Sequence, residues 1–314
     1  MDSSPFPVIR VAHVQPRPPA DRWLVEGLWG WPAVGFVAGC PKSLKTWMAL
    51  ELAVSVASGQ PCLGRYPVKK RGHVLLYAAE DSAQAIRERV AGIAASRHVD
   101  LETLGVGLIT VPSLRLDNEE HRRRLHATLA AIRPRLLVLD PLVRLHGGDE
   151  NSSADISSLL DFLRGLQREY EVAILVVHHV RKAPAAVAGQ ALRGSGDLHA
   201  WLDSALYLMR SNGRLVLRPE HRDNACIEPI EIELDPGRPH LVVRGPALVD
   251  VQASATSTGD LEARLLEALA QEPRTRASLR EHLKVRNETL GKALSGLQER
   301  GVVAQADGFW ARVA

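Results

Sequence analysis

Five short apolar runs alternate with helical stretches in the first 180 residues, and none of the five carries polar residues at every second position. The runs are Val34–Ala38, His73–Ala78, Gly107–Val111, Leu136–Leu139 and Val172–Val177. A strand with one wet face alternates apolar and polar residues, whereas a continuously apolar strand needs cover on both faces. The stretches Thr46–Ser58, Ser82–Ser96, Asn118–Ile132 and Ser153–Tyr170 read as helices between these strands. This order predicts an α/β fold, a mostly parallel sheet with helices on both sides.

Beyond Asp197 the pattern changes. Leu206–Met209, Arg214–Arg218, Ile230–Leu234 and Leu241–Arg244 read as short strands joined by Ser-Asn-Gly and Asp-Pro-Gly turns, extending the sheet with antiparallel strands. Gly245–Gly259 is small and polar, which suits a linker. Leu261–Ala270, Ala277–Leu283 and Asn287–Glu299 then read as three helices, the last with Leu290, Leu294 and Leu297 inward. Val302–Val313 closes as two strands around Ala306-Asp307-Gly308, the order of a winged helix. Four parts result: a proline-rich N-terminal arm over 1–21, a large domain over 22–245, a linker over 246–259 and a small winged-helix domain over 260–314.

A chain of 314 residues is long enough for a large domain and a small one. The net charge of +3 permits a nucleic-acid partner without demanding one. Cys40, Cys62 and Cys226 lack metal spacing and are odd in number, so free thiols in a reducing cytoplasm are expected. No apolar run approaches the roughly 18 residues of a membrane span, and no membrane partner is expected.

The chemistry concentrates at the ends of the apolar strands. Gly39-Cys40-Pro41-Lys42-Ser43-Leu44-Lys45-Thr46, with Trp47 next, follows one buried strand and opens a helix. Backbone N–H groups in such a loop, together with the helix N-terminus, face phosphates. Lys45 is expected to reach the β- and γ-phosphates of ATP, and Thr46 to ligate Mg²⁺. Leu44 stands where the pattern has glycine, so its Cβ crowds the loop, and Lys42 places a second cation nearby. Asp140 ends the Leu136–Leu139 run, where a second Mg²⁺ carboxylate is needed. Glu80, after the His73–Ala78 run, is the candidate to polarise the attacking water. Asp81 or Ser82 caps the helix that follows. His178-His179 ends a further strand, and His178 is the candidate sensor of the γ-phosphate.

Together, Ala38–Thr46, Ala78-Ala79-Glu80-Asp81, Leu136–Pro141, Val176–Lys182 and Leu192-Arg193-Gly194-Ser195 resemble the RepA-type branch of RecA-like hexameric helicases, and more distantly the DnaB-type replicative helicases. The resemblance covers about Trp23–Leu234. It implies a RecA-like ATPase core in a homo-oligomeric ring, often a hexamer, with ATP at each subunit boundary. It also implies an arginine supplied by the neighbouring subunit. Arg222 matches that position best and Arg193 second. Single-stranded DNA would pass through the channel, touched by loops such as Arg181–Gln190.

Arg274, Arg276, Arg280, Lys284, Arg286 and Lys292 cluster around the last two helices, which suits duplex DNA, although Glu281 and Glu288 dilute the patch. Three functions stay open at this point. One is an ATP-driven DNA helicase of a plasmid, phage or other mobile element. The others are an ATP-switched regulator or loader, and a RecA-like repair factor that coats DNA without unwinding it.

Overall fold

The continuously apolar runs become the middle of a nine-stranded sheet. The computed structural model describes residues 6, 8–148, 153–180, 196–211, 213–246, 258–283, 287–306 and 308–312. The chain divides into two units, Met1–Leu248 and Val249–Ala314.

The first unit opens with a small hairpin of β1 (Trp23–Val25) and β2 (Trp29–Gly30). Then come β3 (Val34–Gly39), α1 (Lys45–Ser58), β4 (Val74–Ala78), α2 (Ala83–Ser96), β5 (Val106–Leu108), α3 (Glu119–Ile132) and β6 (Leu136–Asp140). They are followed by α4 (Ser153–Tyr170), β7 (Ala173–His179), α5 (Gly196–Trp201), β8 (Ser204–Ser211), β9 (Arg214–His221), β10 (Ile230–Leu234) and β11 (Leu241–Pro246). The sheet order is β11-β10-β9-β8-β3-β7-β6-β4-β5. β3 through β8 are mutually parallel, and β9, β10 and β11 run antiparallel.

Two expectations change here. Leu206–Met209 lies in β8, which is parallel to β3 rather than antiparallel, because α5 carries the chain back to the starting end of the sheet. Gly107–Val111 is not buried on both faces: β5 is shorter, partly exposed and the last strand of the sheet, so only one neighbour covers it.

Alternation across the central strands explains why no polar residue is tolerated. Val74 and Leu76 of β4, Leu136 and Val138 of β6, and Leu175 and Val177 of β7 pack on one face with α1 and α2. Leu75, Tyr77, Leu137, Leu139, Ile174 and Val176 pack on the other with α3 and α4. Each fully buried leucine or valine contributes ~1.5–3 kcal/mol, so a polar side chain on either face would forfeit that and add desolvation. Eleven of the fourteen residues of α1 are buried, so this helix is enclosed rather than laid on the surface. Its Glu51 is wholly buried, accepts from the Leu241 backbone N at 2.7 Å and pairs with Arg97 just after α2. That pair ties the helix behind the Gly39–Thr46 loop to α2 and β11, and breaking one side of such a pair costs about 3–5 kcal/mol.

Val8, Ile9 and Val11 of the arm are exposed, so this stretch does not pack on its own unit. No helix among the described residues is long and apolar enough to cross a membrane.

The second unit holds α6 (Thr258–Gln271), β12 (Arg274–Thr275), α7 (Arg276–Leu283), α8 (Asn287–Glu299), β13 (Val303–Ala306) and β14 (Phe309–Arg312). α6 begins inside the stretch expected as linker, and β11 reaches Pro246 on the other side. The two-residue strand β12 is an addition to the expected hairpin and makes a three-stranded sheet in the order β12-β14-β13. Leu265, Leu279, Leu290, Leu294, Leu297 and Trp310 form its core.

Candidate nucleotide-binding site

Parallel pairing brings four chemical strand ends to one edge of the sheet. Gly39 of β3 is level with His179 of β7 and Leu208 of β8, and Ala78 of β4 is level with Asp140 of β6. Ligands of open α/β sheets bind at this carboxyl edge. A cavity there is lined by Lys42, Ser43, Leu44, Lys45, Thr46, Trp47, Ala78, Glu80, Asp81, Arg89, Asp140 and His179.

The loop between β3 and α1 needs a left-handed backbone at two non-glycine positions, Lys42 (φ 63°) and Leu44 (φ 61°). Leu44 therefore adopts the conformation for which glycine is favoured, at a cost of roughly 1–2 kcal/mol, and its side chain packs back onto the core beside α1. Gly39 tolerates no side chain: a Cβ there would sit 2.5 Å from both the Leu208 carbonyl oxygen and the Ser43 hydroxyl. The Ser43 hydroxyl is itself buried without a hydrogen-bond partner. Lys45 is 5% exposed and donates from Nζ to the Cys40 carbonyl at 2.8 Å, which aims the ammonium back over the loop. Burial lowers its pKa, and the Asp140 carboxylate opposes that shift.

Thr46 donates from Oγ1 to Asp140 Oδ2 at 2.7 Å. Burial, reinforced by the negative charges of Asp81 and Glu80, pushes Asp140 up from 3.8 to about 6 against the Thr46 hydrogen bond and the Lys45 charge. A hydroxyl and a carboxylate oxygen in contact, the latter costly to ionise alone, form a hard-oxygen pair that fits a divalent cation such as Mg²⁺. The sign of the linkage is testable. A carboxyl whose pKa is raised on folding loses stability as pH climbs from about 4 to about 6, and above that it carries a full penalty of about 3 kcal/mol. Asp140→Asn is therefore expected to stabilise the metal- and nucleotide-free protein by about 1–3 kcal/mol at pH 8, with a smaller gain at pH 5. Urea unfolding at the two pH values in a chelating buffer checks this, and a loss of stability at pH 8 would contradict it.

Glu80 lines the cavity and accepts from Arg144 Nε at 3.0 Å, while its side chain stays half exposed. Asp81 is held differently: Arg89 donates to both of its oxygens, at 2.7 and 2.9 Å. Ser82 caps α2 by accepting from the Ala85 backbone N at 3.1 Å.

The histidine expectation is corrected. His179 lines the cavity, whereas His178 is buried against Phe36, with ring centroids 5.7 Å apart. Adjacent strand residues face opposite sides, and β7 presents His178 to the covered face. Burial first, then the charges of His179 and Lys45, lower His178 to about 4, so it stays neutral at ordinary pH.

Arg222 is not brought to its own chain's loop. It follows β9 at the row where His221 is level with Ser204, the opposite end of the sheet, where it bonds the Ala200 carbonyl and lies 3.7 Å from Asp203. Arg193 and Arg181–Gln190 lie outside the described residues. Three arginines at or beside the cavity went unread in the sequence. Arg89 and Arg144 hold the two acidic residues, and Arg210, two beyond Leu208 on β8, points Nη2 at the Lys42 carbonyl from 3.5 Å. The signal available for Arg210 was its place at the end of a strand beside β3, and that adjacency is not written in local sequence.

Among solved structures, the chain is similar to the ATPase domain of a DnaB-like helicase, with 16% identity over 64% of this chain and 81% of that one and a TM-score of 0.49. It is also similar to the RadB recombinase crystal structure, with 19% identity over 66% and 90% and a TM-score of 0.47. A family model described as an AAA domain, AAA_25, matches residues 2–185 of 314. That span is more than half of the chain and contains the phosphate loop, Glu80, Asp140 and His179, and so the protein belongs to the AAA domain family and is a P-loop ATPase.

Proposed function

We propose that the protein is an ATP-dependent DNA motor, a RepA-type replicative helicase of a plasmid, phage or other mobile element. One observation carries the nucleotide half: Lys45, the Thr46–Asp140 pair, Glu80 and His179 converge on a single cavity at the carboxyl edge of a parallel sheet. In this reading, residues 39–47 cradle the triphosphate of ATP and Lys45 meets its outer phosphates. Thr46 and Asp140 hold Mg²⁺, which neutralises phosphate charge when bound. Glu80 orients and deprotonates the attacking water, and His179 takes the sensor role in place of His178.

The DNA half rests on charge and element order. The unit of three helices and a small antiparallel sheet, with Arg274 and the exposed Arg280 around α7, fits a winged helix that touches duplex phosphates. The division into an arm over 1–21, a core over 22–245, a linker over 246–259 and a winged helix over 260–314 belongs to the same proposal. Single-stranded DNA would run through the channel of a homohexamer in the cytoplasm. Each ATP would be completed by an arginine from the next subunit, Arg222 or Arg193.

The left-handed Leu44 favours a second reading, in which a slow loop makes the protein an ATP-switched loader or regulator. Strand displacement on a forked duplex separates the two. The helicase reading expects ATP-dependent release of the displaced strand, lost in Lys45→Ala. Hydrolysis and DNA binding without displacement would overturn the motor and favour the switch.

A further inference from the structure

An aromatic side chain immediately after the magnesium threonine is an expensive choice for packing alone. Trp47 sits in the first turn of α1, only partly buried, and forms one wall of the phosphate-loop cavity. Arg89 of α2 lines the same cavity and places its guanidinium carbon 5.7 Å from the centroid of the Trp47 ring. The guanidinium is not free to turn. Asp81 takes hydrogen bonds from both Nη1 and Nη2, at 2.7 and 2.9 Å, so the in-plane donors are engaged and the planar faces are what remains to meet a ligand. Indole and guanidinium together form a flat, polarisable, positively charged wall, held on two helices that the Glu51–Arg97 pair ties together.

The position of this wall says what it meets. Triphosphate oxygens are satisfied by the loop amides and Lys45 at the start of α1. The rest of a nucleotide must leave that cradle along the cavity, and Trp47 and Arg89 are the planar groups that line it. Aromatic rings and arginine planes stack on bases whatever the base, because every base has a π-face. No asparagine or glutamine side chain lines the cavity among the described residues, so the wall recognises a ring rather than a hydrogen-bonding edge.

We infer that Trp47 and Arg89, with Asp81 fixing the guanidinium, are the nucleobase platform of the site. This rests on the reading of the cavity as an ATP site, and the test separates the two. Titration calorimetry of the full chain would compare Mg·ATP with Mg·tripolyphosphate, which keeps the phosphates and lacks the base. Trp47→Ala is expected to weaken ATP by on the order of 5- to 150-fold while tripolyphosphate binding is unchanged. Trp47→Phe should recover most of the ATP affinity, because it restores a ring on which to stack. Asp81→Asn, which loosens the guanidinium, should weaken ATP in the same selective way by a smaller factor. If Trp47→Ala shifts ATP and tripolyphosphate equally, or shifts neither, the platform is overturned and the phosphate site stands. If wild type binds neither ligand, the nucleotide reading falls and the platform with it. Thermal melting of each variant shows whether a parallel loss comes from unfolding, and Trp47→Phe then decides by its own ratio of the two affinities.

Discussion

Lys45→Ala is expected to lower ATP turnover by on the order of 10³-fold and to weaken ATP binding by roughly 10- to 150-fold, with the fold intact. The reason is geometric. The ammonium is drawn over the loop by the Cys40 carbonyl and held within reach of the space above Thr46, where the outer phosphates concentrate negative charge. A single charged donor accounts for about 1.5–3 kcal/mol of ground-state binding, and for more in the transition state, where charge on the bridging oxygen grows. Stability moves the other way. Burial lowers the Lys45 pKa, so the folded state disfavours the ammonium at neutral pH, and that penalty disappears only as pH rises through the ordinary lysine range. Removing the side chain relieves it, offset by a small cavity, so the melting temperature should hold or rise slightly. Phosphate release, nucleotide titration and a thermal melt on one preparation test all three statements. Turnover close to wild type would remove Lys45 from the site.

The second large effect is on hydrolysis alone. Glu80→Gln should keep ATP affinity near wild type and lose about 10²–10⁴ in turnover, the range for removal of a general base. Glu80 and Asp81 are adjacent and both face the cavity, so the choice between them rests on their partners. Asp81 commits both oxygens to Arg89. To accept a proton from water it would first have to release a two-pronged ion pair. Glu80 meets Arg144 through one oxygen in the described contacts, and its side chain is half exposed, which leaves it able to orient a water. Asp81→Asn is accordingly expected to cost hydrolysis less than Glu80→Gln does. The reverse ranking in single-turnover assays would transfer the base to Asp81.

The features legible in local sequence share one cause: each is enforced by backbone chemistry within a few residues. Apolar runs without alternation admitted only strands covered on both faces, and they carried Gly39, Ala78, Asp140 and His179 toward one sheet edge as soon as parallel pairing was assumed. The loop before Thr46 was readable because a strand, a glycine and a Lys-Thr at a helix start together have few other uses. The boundaries of α1, α2 and α3 fell within a residue of expectation, since Gly59, Ser82 and Asn118 cap or stop helices by local geometry.

What remained was decided by long-range packing. The same absence of alternation that identified β7 as buried also hid which of His178 and His179 faces the nucleotide, because a strand covered on both sides carries no mark of its inner face. The direction of β8 depended on where α5 returned the chain, and with it the arrival of Arg210 beside Lys42. Arg89 and Arg144 look like ordinary surface charges in sequence, and only the approach of α2 and of the turn after β6 turns them onto Asp81 and Glu80. Glu51, a carboxylate in the middle of an apolar helix, makes sense only with Arg97 and the Leu241 amide around it. Sequence alone determined the class of sheet and the phosphate loop, because short-range sterics and burial act on neighbours in the chain. Tertiary structure alone chose the charged partners that complete the site, because an ion pair between residues tens of positions apart exists only after the core has brought them together.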